Sequence, residues 1–312
     1  MKRLTALLLI LLLLTGCTTA APAVTEPSAA PTEATVVTLP PETAAPTEPE
    51  LDGLTVHFID VGQADCALLE CDGEFAIIDG GNSEDGEDVV EYLAEQGVQE
   101  LALVVGTHPH EDHIGGLPHV LDAYPAENVW SSEIPYSNSI TRAFQNAVAS
   151  QKLPLYVPEI GEVFQLGDAT ITMIGPVHMN YEDVNNISLV LMVQYGDVRF
   201  LFTGDMERDA ETELLDSGAD VKADVLKVGH HGSYTSTSYR FLREVAPAYG
   251  VISVGAANDY GHPHDDPMSR LKDAEVTIYR TDKMYDIVAV TDGEDIQFSW
   301  GNSYAKPWTP AA

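Results

Sequence analysis

Short apolar runs broken by glycine-bearing turns dominate the first third of the folding part of the chain. Residues 54–60, 66–70 and 75–79 alternate with turns at Gly62 and Gly73, a pattern that predicts successive hairpin strands. The period then changes. Residues 87–95 have helical spacing and 101–105 form a continuous apolar run of the kind that fills a buried strand. Helices are predicted over 114–123 and 141–151. The second half weakly repeats the scheme, with strands at 170–174, 188–194 and 198–203, a helix at 206–215 and a strand at 224–228. A helix at 236–245, extended chain at 250–254, a short helix at 267–271 and strands at 277–280, 285–290 and 295–298 complete it. Two β-rich halves, each with helices to place outside, predict an α/β fold of the αββα kind: two sheets face to face, helices covering both. No short-period repeat interrupts this reading.

The N-terminus has a different character. Lys2 and Arg3 precede an unbroken apolar run over 7–14 and then Thr15-Gly16-Cys17, the layout of an export signal. The run is too short to cross a bilayer, which takes about 20 residues. Leu14-Thr15-Gly16-Cys17 resembles a bacterial lipobox, which implies lipidation at Cys17; ordinary signal cleavage is the plainer alternative. Thr18 follows, so there is no aspartate retention signal. Residues 18–52 are rich in Ala, Pro, Thr and Glu and nearly devoid of large apolar side chains, the composition of a disordered, semi-stiff tether. The expectation is a signal over 1–17, a tether over 18–52 and a single working domain over 53–312, lipid-anchored outside the bacterial cytoplasmic membrane.

Cys66 and Cys71 lie five apart on one extended run, so their side chains should face opposite ways and not bridge. Charge carries more information. Thirteen of the 15 basic residues and 43 of the 49 acidic ones follow residue 52, leaving that region at −30 with histidine neutral. Gripping phosphate backbones takes a surplus of Lys and Arg, so a tight, sequence-blind nucleic-acid binder is disfavoured.

All ten histidines also fall after residue 52. Thr107-His108-Pro109-His110-Glu111-Asp112-His113 places three imidazoles and two carboxylates in six positions directly after a buried strand. His108 and His110 point one way in extended chain, and Asp112 and His113 turn toward a neighbouring point as a helix begins. Imidazole nitrogen with carboxylate oxygen is a donor set for zinc, manganese or iron.

The pattern His108-x-His110-x-Asp112-His113 resembles the signature of the metallo-β-lactamase superfamily. The resemblance implies one or two divalent metals, Zn2+ or Mn2+, the first two histidines serving one and the Asp-His pair the other. Ile77-Ile78-Asp79-Gly80-Gly81 is similar to the family's early strand whose Asp supports the metal loop. Leu201-Phe202-Thr203-Gly204-Asp205 is similar to the strand whose terminal Asp bridges both metals. Four further stretches, 58–65, 185–191, 226–233 and 258–263, resemble the ComEC-type competence branch, without a run of 20 apolar residues to form its membrane channel. Within that resemblance His230 is expected as a ligand and His231 as the catalytic partner, although sequence leaves the order of the two open. His262 matches the last histidine ligand; His264 fits less well. The usual third-motif histidine is missing, with Asn186 in its place as a supporting residue. His119 and His178 read as surface or core histidines, and His57 as structural. Asp60 and Asp65 flank a Gly-Gln turn.

This donor set supports hydrolysis by a metal-bound hydroxide, with Asp112 and His231 taking catalytic roles. Two metals suit phosphodiester displacement, so the leading expectation is a cell-surface phosphodiesterase or nuclease. Its substrate would be nucleic acid or a cell-envelope phosphodiester, its membrane contact the anchor at Cys17, and no protein partner is inferable. The alternatives are β-lactam or lactone hydrolysis on the same scaffold, and a non-catalytic surface module for DNA uptake.

Overall fold

The computed structural model describes residues 51–301. The expected signal over 1–17, with its lipobox at Cys17, and all but the last two residues of the expected tether over 18–52 lie outside the described residues. Numbered in chain order, the first sheet runs β14 (Ile296–Gly301), β13 (Asp286–Thr291), β1 (Leu54–Phe58), β2 (Cys66–Cys71), β3 (Glu74–Gly80), β4 (Leu103–Gly106) and β5 (Val129–Ser131). The second runs β12 (Thr277–Arg280), β11 (Tyr249–Ile252), β10 (Val225–Lys227), β9 (Val198–Phe202), β8 (Val190–Tyr195), β7 (Ala169–Gly175) and β6 (Val163–Leu166). Each sheet is antiparallel on one side and parallel on the other. The parallel strands are β3, β4 and β5 in one and β9 to β12 in the other.

Strand alternation builds three apolar layers. On β2, Ala67, Leu69 and Cys71 point into the layer between the sheets, while Cys66 and Leu68 point out. The two cysteines therefore face opposite ways and are free, as their spacing predicts. On β9, Phe200 and Phe202 fill the inter-sheet layer and Leu201 faces away. Helices α1 (Gly86–Glu95), α3 (Leu117–Ala123) and α4 (Ser139–Ser150) cover the outer face of the first sheet. Helices α5 (Arg208–Asp216), α6 (Tyr239–Val245) and α7 (Asp265–Asp273) cover the second. This is the αββα arrangement expected from the two β-rich halves.

Four differences are instructive. The helix predicted over 114–123 is two pieces, α2 (Glu111–Ile114) and α3, broken at Gly115-Gly116. There the chain presses on the end of β3: a Cβ at Gly116 would run into the Gly80 carbonyl oxygen. Strand β5 has only three residues, too few to show a period. Strand β6 is the missed first arm of a hairpin whose turn is Gly167-Asp168. A short helix, α8 (Thr281–Met284), follows β12 and was also not expected.

The topology gathers one set of loops. Asp79 closes β3, Thr107 follows β4, Asp205 follows β9, His230 and His231 follow β10 and Ser253 follows β11, all at carboxyl ends of parallel strands. Crevices at such ends are where open α/β sheets place their ligands.

Candidate metal centre

Asp79 organises the loop after β4. Its backbone is left-handed (φ 60°), which turns the carboxylate back toward Thr107. Oδ1 accepts from the Thr107 amide at 2.8 Å, and Oδ2 from the Thr107 hydroxyl at 2.7 Å and from His113 Nδ1 at 2.8 Å. Because a carboxylate only accepts, His113 carries a proton on Nδ1 and turns Nε2 inward. Thr107 spends its hydroxyl proton on Asp79, so its oxygen accepts from His108 Nδ1 at 3.3 Å, which leaves Nε2 of His108 as the lone pair.

The loop after β10 repeats this logic. His230 and His231 are both left-handed (φ 50° and 51°), an uncommon state for residues with a Cβ, and their rings diverge. His231 donates from Nδ1 to the Ser253 carbonyl at 3.0 Å, with Asp65 Oδ1 at 3.2 Å. His230 Nδ1 lies 3.3 Å from Glu207 Oε1 and 3.2 Å from the Thr235 hydroxyl. Both rings thus present Nε2 to the centre.

What they face is carboxylate. Asp205 Oδ1 stands 3.2 Å from His113 Nε2, and its Oδ2 stands 3.5, 3.8 and 4.0 Å from Nε2 of His230, His231 and His108. Asp112 Oδ2 is 3.2 Å from His231 Nε2. One donor atom each from Asp112, His113, Asp205 and His231 falls within 4.8 Å of the others. His231 therefore stands inside the tightest cluster, where the sequence led us to expect His230; His230 reaches Asp205 from the side. His110 meets His108, Nδ1 to Nε2, at 3.0 Å.

The electrostatics fit a cation. Burial alone would push the His113 and His231 imidazoles down, but the surrounding carboxylates overcome it. Asp205, Asp79 and Asp112 push His113 well up, and Asp205 with Asp65 pushes His231 up to about 10. Burial would raise Asp205 and Asp112, yet neighbouring histidines hold both below the usual carboxylate range. His108 is driven down, by burial first and then by His113. Imidazole nitrogens and carboxylate oxygens converge here, with His113 Nε2 and Asp205 Oδ1 buried against each other at 3.2 Å and no further partner for either. Such a donor set is complete only with positive charge at its centre, which a divalent metal supplies. A second group, Asp65, Asp79 and His113, is also close-set. It is neutralised from within the protein, by Lys227 Nζ at 2.8 Å from Asp65 and by the donors on Asp79.

The site opens on one side. The Asp112 and His230 side chains are 30% and 22% exposed, against 0% for His113 and 2% for Asp205. His262 lies at this mouth, half-buried, with ring centroids 5.6 Å from His230 and 6.3 Å from His231, and outside the four-residue cluster. Burial, with His231 and His230 nearby, holds it down to about 4. His264 is turned away, accepting from the Tyr234 amide. Asn186 does not enter the centre: its Oδ1 accepts from the Glu207 amide at 3.0 Å and so steadies the carboxylate behind His230. His57 bonds Tyr92 within the fold, His178 pairs with Glu213 at the surface and His119 is exposed on α3.

Sequence reasoning gave no role to Thr107, Glu207, Ser253 or Lys227. The first three act through a hydroxyl, a carboxylate and a carbonyl that any loop carries. Lys227 had a signal, a lone cation in an apolar strand, that pointed to a buried carboxylate partner.

Comparison with known proteins agrees with this geometry. Residues 59–256 match the family described as the metallo-beta-lactamase superfamily. The chain is 31% identical over 204 residues to ComE operon protein 3 of Bacillus subtilis, covering 64% of this chain and 26% of that protein. It is 32% identical over 222 residues to Recombination protein 2 of Haemophilus influenzae, covering 69% and 26%. The chain thus spans about a quarter of the length of these relatives. Among solved structures, Igni18, a metallo hydrolase from Ignicoccus hospitalis, superposes with a TM-score of 0.51 at 17% identity, covering 76% of this chain and all of that one.

Proposed function

The chain belongs to the metallo-β-lactamase superfamily, in its ComEC-type competence branch, and from that premise we propose that it is a metal-dependent phosphodiester hydrolase of the cell surface. The observation that carries the reading is the convergence of Nε2 of His113 and His231 with carboxylate oxygens of Asp112 and Asp205. In this reading those four residues would hold one metal, and His108 and His230, which flank Asp205, would hold a second together with His110, which meets His108. A divalent metal bound there would supply positive charge to phosphoryl oxygens and lower the pKa of a bound water toward neutrality.

The protein's own groups do the rest. Asp79, Ser253 and Glu207 hold the Nδ1 protons of His113, His231 and His230, so the rings keep their orientation through the reaction. Asp112, the more open of the two carboxylates in the cluster, is placed to accept a hydrogen bond from the attacking water. His231, expected from sequence to be catalytic, serves here as a ligand. The acidic balance of the chain favours a compact or envelope-borne phosphodiester over a long nucleic acid. Among the described residues no helix is long and apolar enough to cross a membrane, and attachment through lipid at Cys17 is the route we propose.

The test is hydrolysis by the full-length chain supplied with zinc or manganese. Bis-p-nitrophenyl phosphate should turn over, and a chromogenic cephalosporin should not. Cleavage of the cephalosporin alone would favour the carbonyl-substrate reading. Metal uptake without hydrolysis of either would favour a non-catalytic surface module.

A further inference from the structure

Six histidines surround the mouth and floor of the centre, and four share one arrangement. His108, His113, His230 and His231 each spend the Nδ1 proton on an acceptor, respectively the Thr107 hydroxyl, Asp79, Glu207 and the Ser253 carbonyl. His262 is arranged the other way round. Its Nδ1 lies 3.2 Å from the side-chain nitrogen of Gln63. The orientation of that amide is not free, because Gln63 Oε1 accepts from the Gly255 N–H at 3.1 Å, and a backbone N–H can only donate. Gln63 therefore presents its NH2 to His262, Nδ1 of His262 accepts, and the ring proton resides on Nε2.

The loop that carries the ring is itself tied down. Asn258 clamps the His262 backbone from both sides, accepting from its N–H at 3.0 Å and donating to its carbonyl at 2.7 Å. The same Asn258 nitrogen donates to the Gly255 carbonyl at 2.9 Å, tying the His262 loop to the strand end that orients Gln63. Tyr260 stacks on the ring with centroids 5.6 Å apart. Among the described residues His262 makes no ion pair with a carboxylate of the cluster, unlike His108, His113, His230 and His231.

We propose that His262 is not a metal ligand but a hydrogen-bond donor, its Nε2–H held at the mouth by Gln63 for an anionic oxygen of a phosphoryl substrate. An imidazole with a proton on the outward nitrogen has no lone pair there for a metal, and it has the polarity a phosphoryl oxygen requires. Gln63 acts through His262 and is a positioning residue. The inference deepens the phosphodiesterase reading and, for its substrate, rests on it.

Two measurements on the full-length chain test it apart from turnover. Histidine-selective 15N labelling and long-range 1H–15N correlation should show His262, identified by its loss in His262→Ala, as the Nε2–H form. In Gln63→Glu a carboxylate replaces the donor, and the same signal should move to the Nδ1–H form. Second, zinc titration of His262→Ala should give the wild-type number of equivalents with affinity within about threefold. The zinc-loaded variant should bind inorganic phosphate at least tenfold more weakly than wild type. An Nδ1–H ring in the wild type, loss of a zinc equivalent in His262→Ala, or unchanged phosphate affinity would overturn the proposal. Absence of phosphodiester turnover with these three results intact would instead remove the phosphodiesterase reading alone.

Discussion

Asp79 and His113, 34 residues apart, meet at 2.8 Å with both side chains almost fully enclosed, and that single bond fixes which nitrogen of His113 faces the centre. The same carboxylate, through the Thr107 hydroxyl, fixes His108. Asp79→Asn keeps the shape but presents one acceptor oxygen in place of two. Supporting residues of this type are worth roughly 10- to 100-fold in metal affinity. Asp79→Asn should lose that much zinc affinity by chelator competition while its far-ultraviolet circular dichroism stays native. Wild-type affinity in the variant would show that the ring needs no such anchor.

Lys227 and Asp65 form a buried pair, 4% and 7% exposed, beneath the His231 turn. The cation holds Asp65 down to about 2 against a burial that would raise it. Removing Lys227 leaves the buried Asp65 charge with only His231 Nδ1 beside it, and breaking a buried pair costs about 3–5 kcal/mol. Lys227→Met should therefore unfold at markedly lower denaturant concentration, and adding Asp65→Asn should recover most of the loss. A single variant as stable as wild type would contradict the pairing.

Burial pushes Asp60 and Asp286 up to about 6 from 3.8, and repulsion between acidic neighbours adds to it. Both values rise on folding, so the sign is fixed: the folded state binds these protons more tightly. Their effect is neutral below the unfolded value, and stability falls as pH rises from about 4 through 6 and stays lower above. Asp286→Asn should flatten this segment of the stability–pH curve and raise the melting temperature at pH 7.5 relative to wild type. Parallel curves for the two proteins would rule the pair out as a source of the slope.

Gly116 sits where the metal loop crosses the end of β3, and a methyl there meets the Gly80 carbonyl. Overpacking of this kind typically costs about 1–3 kcal/mol. Gly116→Ala should lower stability by that amount in urea unfolding. Because the loop it displaces carries Asp112 and His113, metal affinity should fall with it.

Much of this was legible before any coordinates. The αββα layering follows from alternation in strands such as β2 and β9, whose odd and even positions feed different cores. Asp112, His113 and Asp205 stand together because the segments that carry them follow the ends of β4 and β9, where a short apolar run gives way to a polar loop. The order of His230 and His231 was not legible, since two adjacent left-handed residues diverge in a direction set by Ser253 and Glu207, from distant parts of the chain. Gln63 and His262, 199 residues apart, carry no mutual signal in sequence. The missed strands β5 and β6 are short, and their partners in the sheet rather than their own pattern make them strands.

The proposed chemistry requires that Asp112, His113, Asp205 and His231 hold a metal. The most direct measurement is metal content, by mass spectrometry of the full-length chain after zinc loading and removal of free ion, on wild type and Asp205→Ala. Firmly retained zinc in the wild type, lost in Asp205→Ala with the fold intact, is the predicted result. A natively folded wild type that retains neither zinc nor manganese would contradict it.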